Sequence, residues 1–296
     1  MIDEIMQFHD KGDEIVVELC EKFGAEVLEV DFQYYELTTI KISPGSSQEI
    51  FDYLSMNVQQ ETDVIRKKCL IFIIAKLIEE TQLVPSVAID VLMDESESPY
   101  ILFRLAFVLY HEPAIQNRCI EVFQQVILNK ENHMDMRYES ITILNRLAEI
   151  DKNPILITIF LEVIALEEYY FEDPYFAGHN MGDIIITDDS FDPDYSEHWI
   201  IDIKELAIDG LSYFPDHFEL VATPLLKFMT EEYQIDEYIS AVARTLTGYI
   251  FDVPHATRFL LDKVDFLYEN NEGAKVIVDA IMEFHGVKKS DTQLPL

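Results

Sequence analysis

The stretch Pro113 to Ile150 constrains the fold most. Apolar side chains recur at Ile115, Cys119, Val122, Phe123, Val126 and Ile127, stop at the polar run Asn129 to His133, and resume at Met136, Ile141, Leu144, Leu147 and Ile150. Both halves carry the i, i+3, i+4, i+7 spacing of a helix with one apolar face. Pro113 suits a first helical position, where its missing N–H leaves no bond unmade, and the polar run is long enough for one sharp turn. The stretch reads as a helical hairpin of about 38 residues. Such a hairpin cannot bury its apolar face alone and needs neighbours of the same kind.

The rest of the chain supplies them. Pro85, Pro113, Pro154, Pro215 and Pro254 each open an apolar-periodic segment, at intervals of 28, 41, 61 and 39 residues. A second periodic segment follows each: Tyr100 to Tyr110, Met136 to Ile150, Trp199 to Tyr213, Tyr238 to Phe251 and Ala274 to His285. Ahead of them, Gln48 to Gln60 and Thr62 to Glu80 are predicted helices. An interval near 40 with one long outlier is the pattern of a helical-pair repeat carrying one insertion. Residues 1–45 differ. Met1 to Phe23 is a predicted helix with Gly24 as its stop, whereas Leu28, Val30, Phe32 and Tyr34 alternate with Glu29, Asp31 and Gln33. That alternation marks a strand, an acidic helix being the alternative. The domains expected are a cap over 1–45, a repeat array over 46–287 and a tail over 288–296.

Two stretches extend this reading. Pro154-Ile155-Leu156-Ile157-Thr158-Ile159-Phe160-Leu161 begins at a proline and has a leucine-rich face, and Asp135-Met136-Arg137 through Arg146-Leu147-Ala148 begins with an acid and an arginine. Together they resemble the first and second helices of the HEAT or armadillo-like families, and Ile239-Ser240-Ala241-Val242-Ala243-Arg244-Thr245-Leu246 is a looser second match. The resemblance covers about residues 48 to 287 and implies an all-α fold, an α-solenoid of HEAT-like hairpins. The unit in the 200s departs from the pattern, with Lys204 standing where arginine is expected.

The long proline interval contains Glu167 to His198, which has ten acids, no Lys or Arg, and Pro174, Gly178, Gly182 and Pro193 breaking any period. It reads as an acidic loop, 167–198, inserted in the turn of the central hairpin. Aromatic residues interleave with the acids, which sets it apart from a disordered linker. Carboxylates for reach and rings for contact area suit an interface. The residues expected to touch a partner are Glu172, Asp173, Tyr175, Phe176, Asp188, Asp189, Phe191, Asp192, Asp194, Tyr195 and Trp199. The other use open to the loop is as a lid whose rings fold back on the array.

Charge sets the class of partner. With 56 acids against 21 Lys and Arg the net charge is −35, a field that repels nucleic acid and anionic membrane and attracts a basic protein. No Gly-rich phosphate loop, GxSxG elbow or HExxH motif is present. Asp188, Asp189, Asp192 and Asp194 with His179 and His198 suggest hard-cation ligands, but their spacing is not that of an EF-hand loop. No metal or cofactor is expected. Cys20, Cys69 and Cys119 all fall on apolar stripes and are expected to be core thiols, reduced in a cytoplasmic protein. The longest apolar run, Cys69 to Ala75, is seven residues, too short to span a bilayer.

The function expected is therefore non-enzymatic: capture of a basic protein partner by the acidic surface and rim loop, as an inhibitor or immunity-type protein. The alternative is a scaffold or adaptor holding a partner helix in its concave groove, with Arg66, Arg104, Arg137, Arg146, Lys204 and Arg244 lining that groove or forming ion-pair ladders.

Overall fold

The computed structural model describes residues 2–24, 27–33, 36–43, 45–132, 134–166, 203–229, 236–264 and 271–285. Among them are 13 helices and one antiparallel β-hairpin, so the chain is mostly helical. Helix α1 spans Ile2–Phe23 and ends at Gly24, whose φ of +55° places it in the left-handed region that glycine enters without strain. The alternating stretch is indeed extended: β1, Val27–Gln33, pairs with β2, Glu36–Ile42, in a register that sets Val30 opposite Ile40.

Twelve helices come after the hairpin. They are α2 (Ser47–Gln60), α3 (Val64–Thr81), α4 (Ser86–Met93), α5 (Pro99–Leu109), α6 (Gln116–Leu128), α7 (Met134–Asp151), α8 (Ile155–Ile164), α9 (203–211), α10 (Phe218–Lys227), α11 (Asp236–Asp252), α12 (Ala256–Val264) and α13 (Glu272–Phe284). From α2 onward they can be taken two by two in chain order. First helices begin at Ser47, Ser86, Gln116, Ile155, Phe218 and Ala256, at spacings of 39, 30, 39, 63 and 38 residues. The punctuation is local chemistry. The Asp63 carboxylate caps α3 by accepting from the amides of Ile65 and Arg66, Ser98 caps α5 ahead of Pro99, and Asn271 caps α13. Pro113 departs from expectation, since it lies in the turn ahead of Gln116 rather than in the first turn of α6.

The described residues form two compact units, one up to Val126 and one from Ile127. In the first, α3 is the centre: it touches α1, α2, α4, α5 and β2. For that reason Cys69 to Ala75 are buried without a polar face between them. The α3–α5 pair runs parallel, with Lys67 early in α3 bonded to Glu97 just ahead of α5 and the Arg104 guanidinium 5.0 Å from the Phe72 ring later in both. By contrast α1 runs antiparallel to α3, with Phe8 against Phe72 and Glu18 against Arg66. That reversal sets α1 apart from α5 in the direction in which each meets α3.

In the second unit the second helices lie side by side and parallel. Asn145 on α7 donates to the Leu206 carbonyl on α9 at 3.1 Å, Thr245 on α11 to the Ile208 carbonyl, and Tyr249 on α11 to the Leu211 carbonyl. Further along, Gly273 at the start of α13 meets Ile239 at the start of α11, and the Phe284 ring at its end meets Phe251 at 5.2 Å. The order α7, α9, α11, α13 is thus fixed by contacts that rise in register together. No helix of the described residues is long and apolar enough to cross a membrane.

Candidate interaction surface

The inserted stretch is best approached from the helices that carry its ends. Helix α8 and helix α9 are antiparallel: Phe160 packs against Gly210 at one end, and the Lys204 Nζ donates to the Leu166 carbonyl at 2.7 Å at the other. Leu166 is the last described residue before the insertion and Lys204 the second after it. One hydrogen bond therefore ties its two stems together. All eleven residues expected to contact a partner, Glu172, Asp173, Tyr175, Phe176, Asp188, Asp189, Phe191, Asp192, Asp194, Tyr195 and Trp199, lie outside the described residues. So do His179 and His198. Among the described residues no group of three or more His, Cys, Asp or Glu is placed to hold a metal ion.

Lys204 is only 1% exposed, and its ammonium lies 5.7 Å from the Tyr238 ring. Arg137 is 4% exposed and donates from Nε to the Ile127 carbonyl at the end of α6. Arg118, also buried, donates to the Leu92 carbonyl near the end of α4. The three cations share one role: each satisfies a carbonyl at or beside the C-terminal end of an earlier helix, where the peptide dipoles concentrate negative charge. Lys204, which breaks the arginine pattern in sequence, does at the end of α8 what Arg137 does at the end of α6.

Of the other cations expected on the second helices, Arg66, Arg104 and Arg244 are engaged within the fold. Arg66 reaches Glu18 at 2.8 Å, Glu61 at 3.1 Å and Glu14 at 3.6 Å. Arg244 is 56% exposed and bonds Glu205 and Asp209 across the α9–α11 contact, which raises its already high pKa. Arg104 stacks on Phe72 and Tyr100, and Arg146 is exposed. The ladder foreseen from the sequence exists in part, but its buried members bond carbonyls as well as acids. Carbonyl partners far along the chain leave no trace in a spacing pattern.

The thiols divide. Cys69 and Cys119 are buried, and desolvation pushes each up to about 12. Cys20 is exposed, contrary to the core role its stripe suggested, because Ile15, Val16 and Leu19 carry the buried face of α1. A thiol reacts as thiolate, so a disulfide reagent at neutral pH should label Cys20 alone in the native chain and all three cysteines in urea. Rapid labelling of two or more in the folded state would contradict this burial.

Searches with the whole chain found no matching family model, no matching curated protein and no matching solved structure.

Proposed function

We propose that this chain is a non-enzymatic, protein-binding α-solenoid of HEAT-like hairpins that captures a basic protein through its acidic surface and the insertion 167–198. The observation that carries the reading is the placement of charge around that insertion. From residue 153 to residue 226 the chain has 16 acids and a single base, Lys204. That base is buried and bonded to Leu166, so its charge is withdrawn from the surface while the stems of the insertion are held together. Parallel packing of α9, α11 and α13, with first helices alternating between them in sequence, supports the solenoid. An inhibitor or immunity-type protein, presenting carboxylates where a partner would otherwise bind phosphates, fits this chemistry.

The adaptor reading, a partner helix held by cations in a concave groove, is weakened by the same contacts. Arg137 and Lys204 are buried beneath helix ends, and Arg244 already holds two carboxylates.

The test is capture from lysate at low salt with the intact chain and with a chain lacking 173–197, followed by kinetics on the captured protein. Raising salt from about 50 mM to about 500 mM shortens the Debye length several-fold and should weaken binding steeply. Reversing Asp188, Asp189, Asp192 and Asp194 to Lys should slow association by about tenfold or more while changing dissociation less. Binding indifferent to salt, or an unchanged on-rate in the reversed variant, refutes the role given to the insertion.

A further inference from the structure

The parallel helices of the second unit end together, and their ends are apolar where solvent would be expected. Ile150, which periodicity assigns to the inner stripe of α7, is 72% exposed. Phe251 at the end of α11 is 70% exposed and Phe284 at the end of α13 is 48% exposed. Two of these are phenylalanines in edge-to-face contact with each other at 5.2 Å, so they form one patch rather than scattered exposed residues. Tyr213, just beyond α9, belongs to the same row. The Asn145–Leu206 hydrogen bond sets α9 beside α7, and burial, then the Glu149 and Asp209 carboxylates, hold the Tyr213 phenol above its usual pKa.

Around the patch the charge is mostly negative. Glu149, Asp151, Asp252 and Glu283 are all exposed at these helix ends, with Lys152 and His285, whose ring lies 5.1 Å from that of Phe284, as the bases among them. The helix C-termini add their own partial negative charge. Lys204 lies at the opposite end of α9 from this edge.

From the row of Ile150, Phe251 and Phe284 edged by carboxylates, we infer a second docking surface, whose occupant is an amphipathic basic segment of a protein partner. Rings of this kind act as anchors because they bury a large area with few rotatable bonds. Carboxylates at the margin select lysine or arginine on the flanks of the segment. The inference shares with the proposed function the premise of a basic partner, but it does not depend on the insertion.

The probe is a synthetic peptide of about 18 residues, five helical turns, with leucines at i, i+3, i+4 and i+7 and lysines elsewhere, titrated calorimetrically into the full chain at low salt. A peptide of the same composition in scrambled order is the control. The F251S/F284S double variant should bind the ordered peptide about tenfold or more weakly and keep its thermal transition, since both rings already face solvent. The variant with Asp188, Asp189, Asp192 and Asp194 reversed should bind it as the parent does, which separates failure of this surface from failure of the insertion. Equal affinity in F251S/F284S, or equal affinity for the scrambled peptide, overturns the inference. So does dimerisation of the full chain that the double variant abolishes, which assigns the patch to a second copy. Binding that appears only in a chain ending at His285 overturns it as well and assigns the patch to residues 286–296.

Discussion

Replacing Lys204 by alanine should lower the stability of the second unit by about 2–3 kcal/mol, read as a fall in the urea midpoint without change in slope. Two losses add. Three buried methylenes beyond Cβ are worth about 0.8 kcal/mol each. The half-buried Leu166 carbonyl loses a partner, which costs about 1 kcal/mol, the low end for an acceptor left unsatisfied. Against these stands the relief of no longer burying an ammonium, which is itself expensive. Lys204→Met separates the terms because it keeps the length of the stem and removes the ammonium together with its hydrogen bond to Leu166. It should cost less than half as much as the alanine variant. The first turn of α9 should exchange its amide hydrogens faster in both, since the bond that closes the insertion's stems is gone in both. Alanine and methionine variants that unfold at the parental midpoint would mean that the ammonium contributes nothing through Leu166.

That bond also marks where sequence reading succeeded and where it stopped. The helices were legible because burial on one face imposes a 3.6-residue period, and because proline and capping residues mark starts that depend on their immediate neighbours alone. Thus Ser47–Gln60, Val64–Thr81 and Asp236–Asp252 fall within a few residues of the predicted segments. The strand β1 was legible from alternation. Its partner β2 was passed over, though Thr38, Thr39, Ile40 and Ile42 are β-branched and carried the signal. What spacing could not supply was the partner of each cation. Whether Arg137 lines a groove or bonds Ile127 is settled by a carbonyl ten residues away, and for Lys204 by one 38 residues away. Exposure of Cys20, Ile150 and Phe251 was equally hidden, since a periodic stripe continues to the helix end whether or not a neighbour reaches that far. The acidic residues predicted to bind lie in the stretch outside the described residues, so the structure bears on them only through its two stems.

The approach of α8 to α9 yields the other large effect, and its sign is the informative part. A Cβ built on Gly210 would sit 2.7 Å from two ring carbons of Phe160, itself wholly buried, whereas one built on Gly248 in α11 would meet nothing within 4 Å. Both glycines are helical, so alanine gains up to about 1 kcal/mol of intrinsic propensity at either position. At Gly248 that gain should appear nearly whole, as a stabilisation of about 1 kcal/mol. At Gly210 the ring must move or the helices must part. Overpacking of this kind costs about 1–3 kcal/mol, so the net change should be destabilising, and Gly210→Val should exceed it. Phe160→Leu, harmful alone because it leaves space in the core, should recover part of the loss when combined with Gly210→Ala. The coupling in that double-mutant cycle should reach about 1 kcal/mol, as for residues in direct contact. Additive effects in the cycle, or a stabilised Gly210→Ala chain, would place α8 farther from α9 than the structure does.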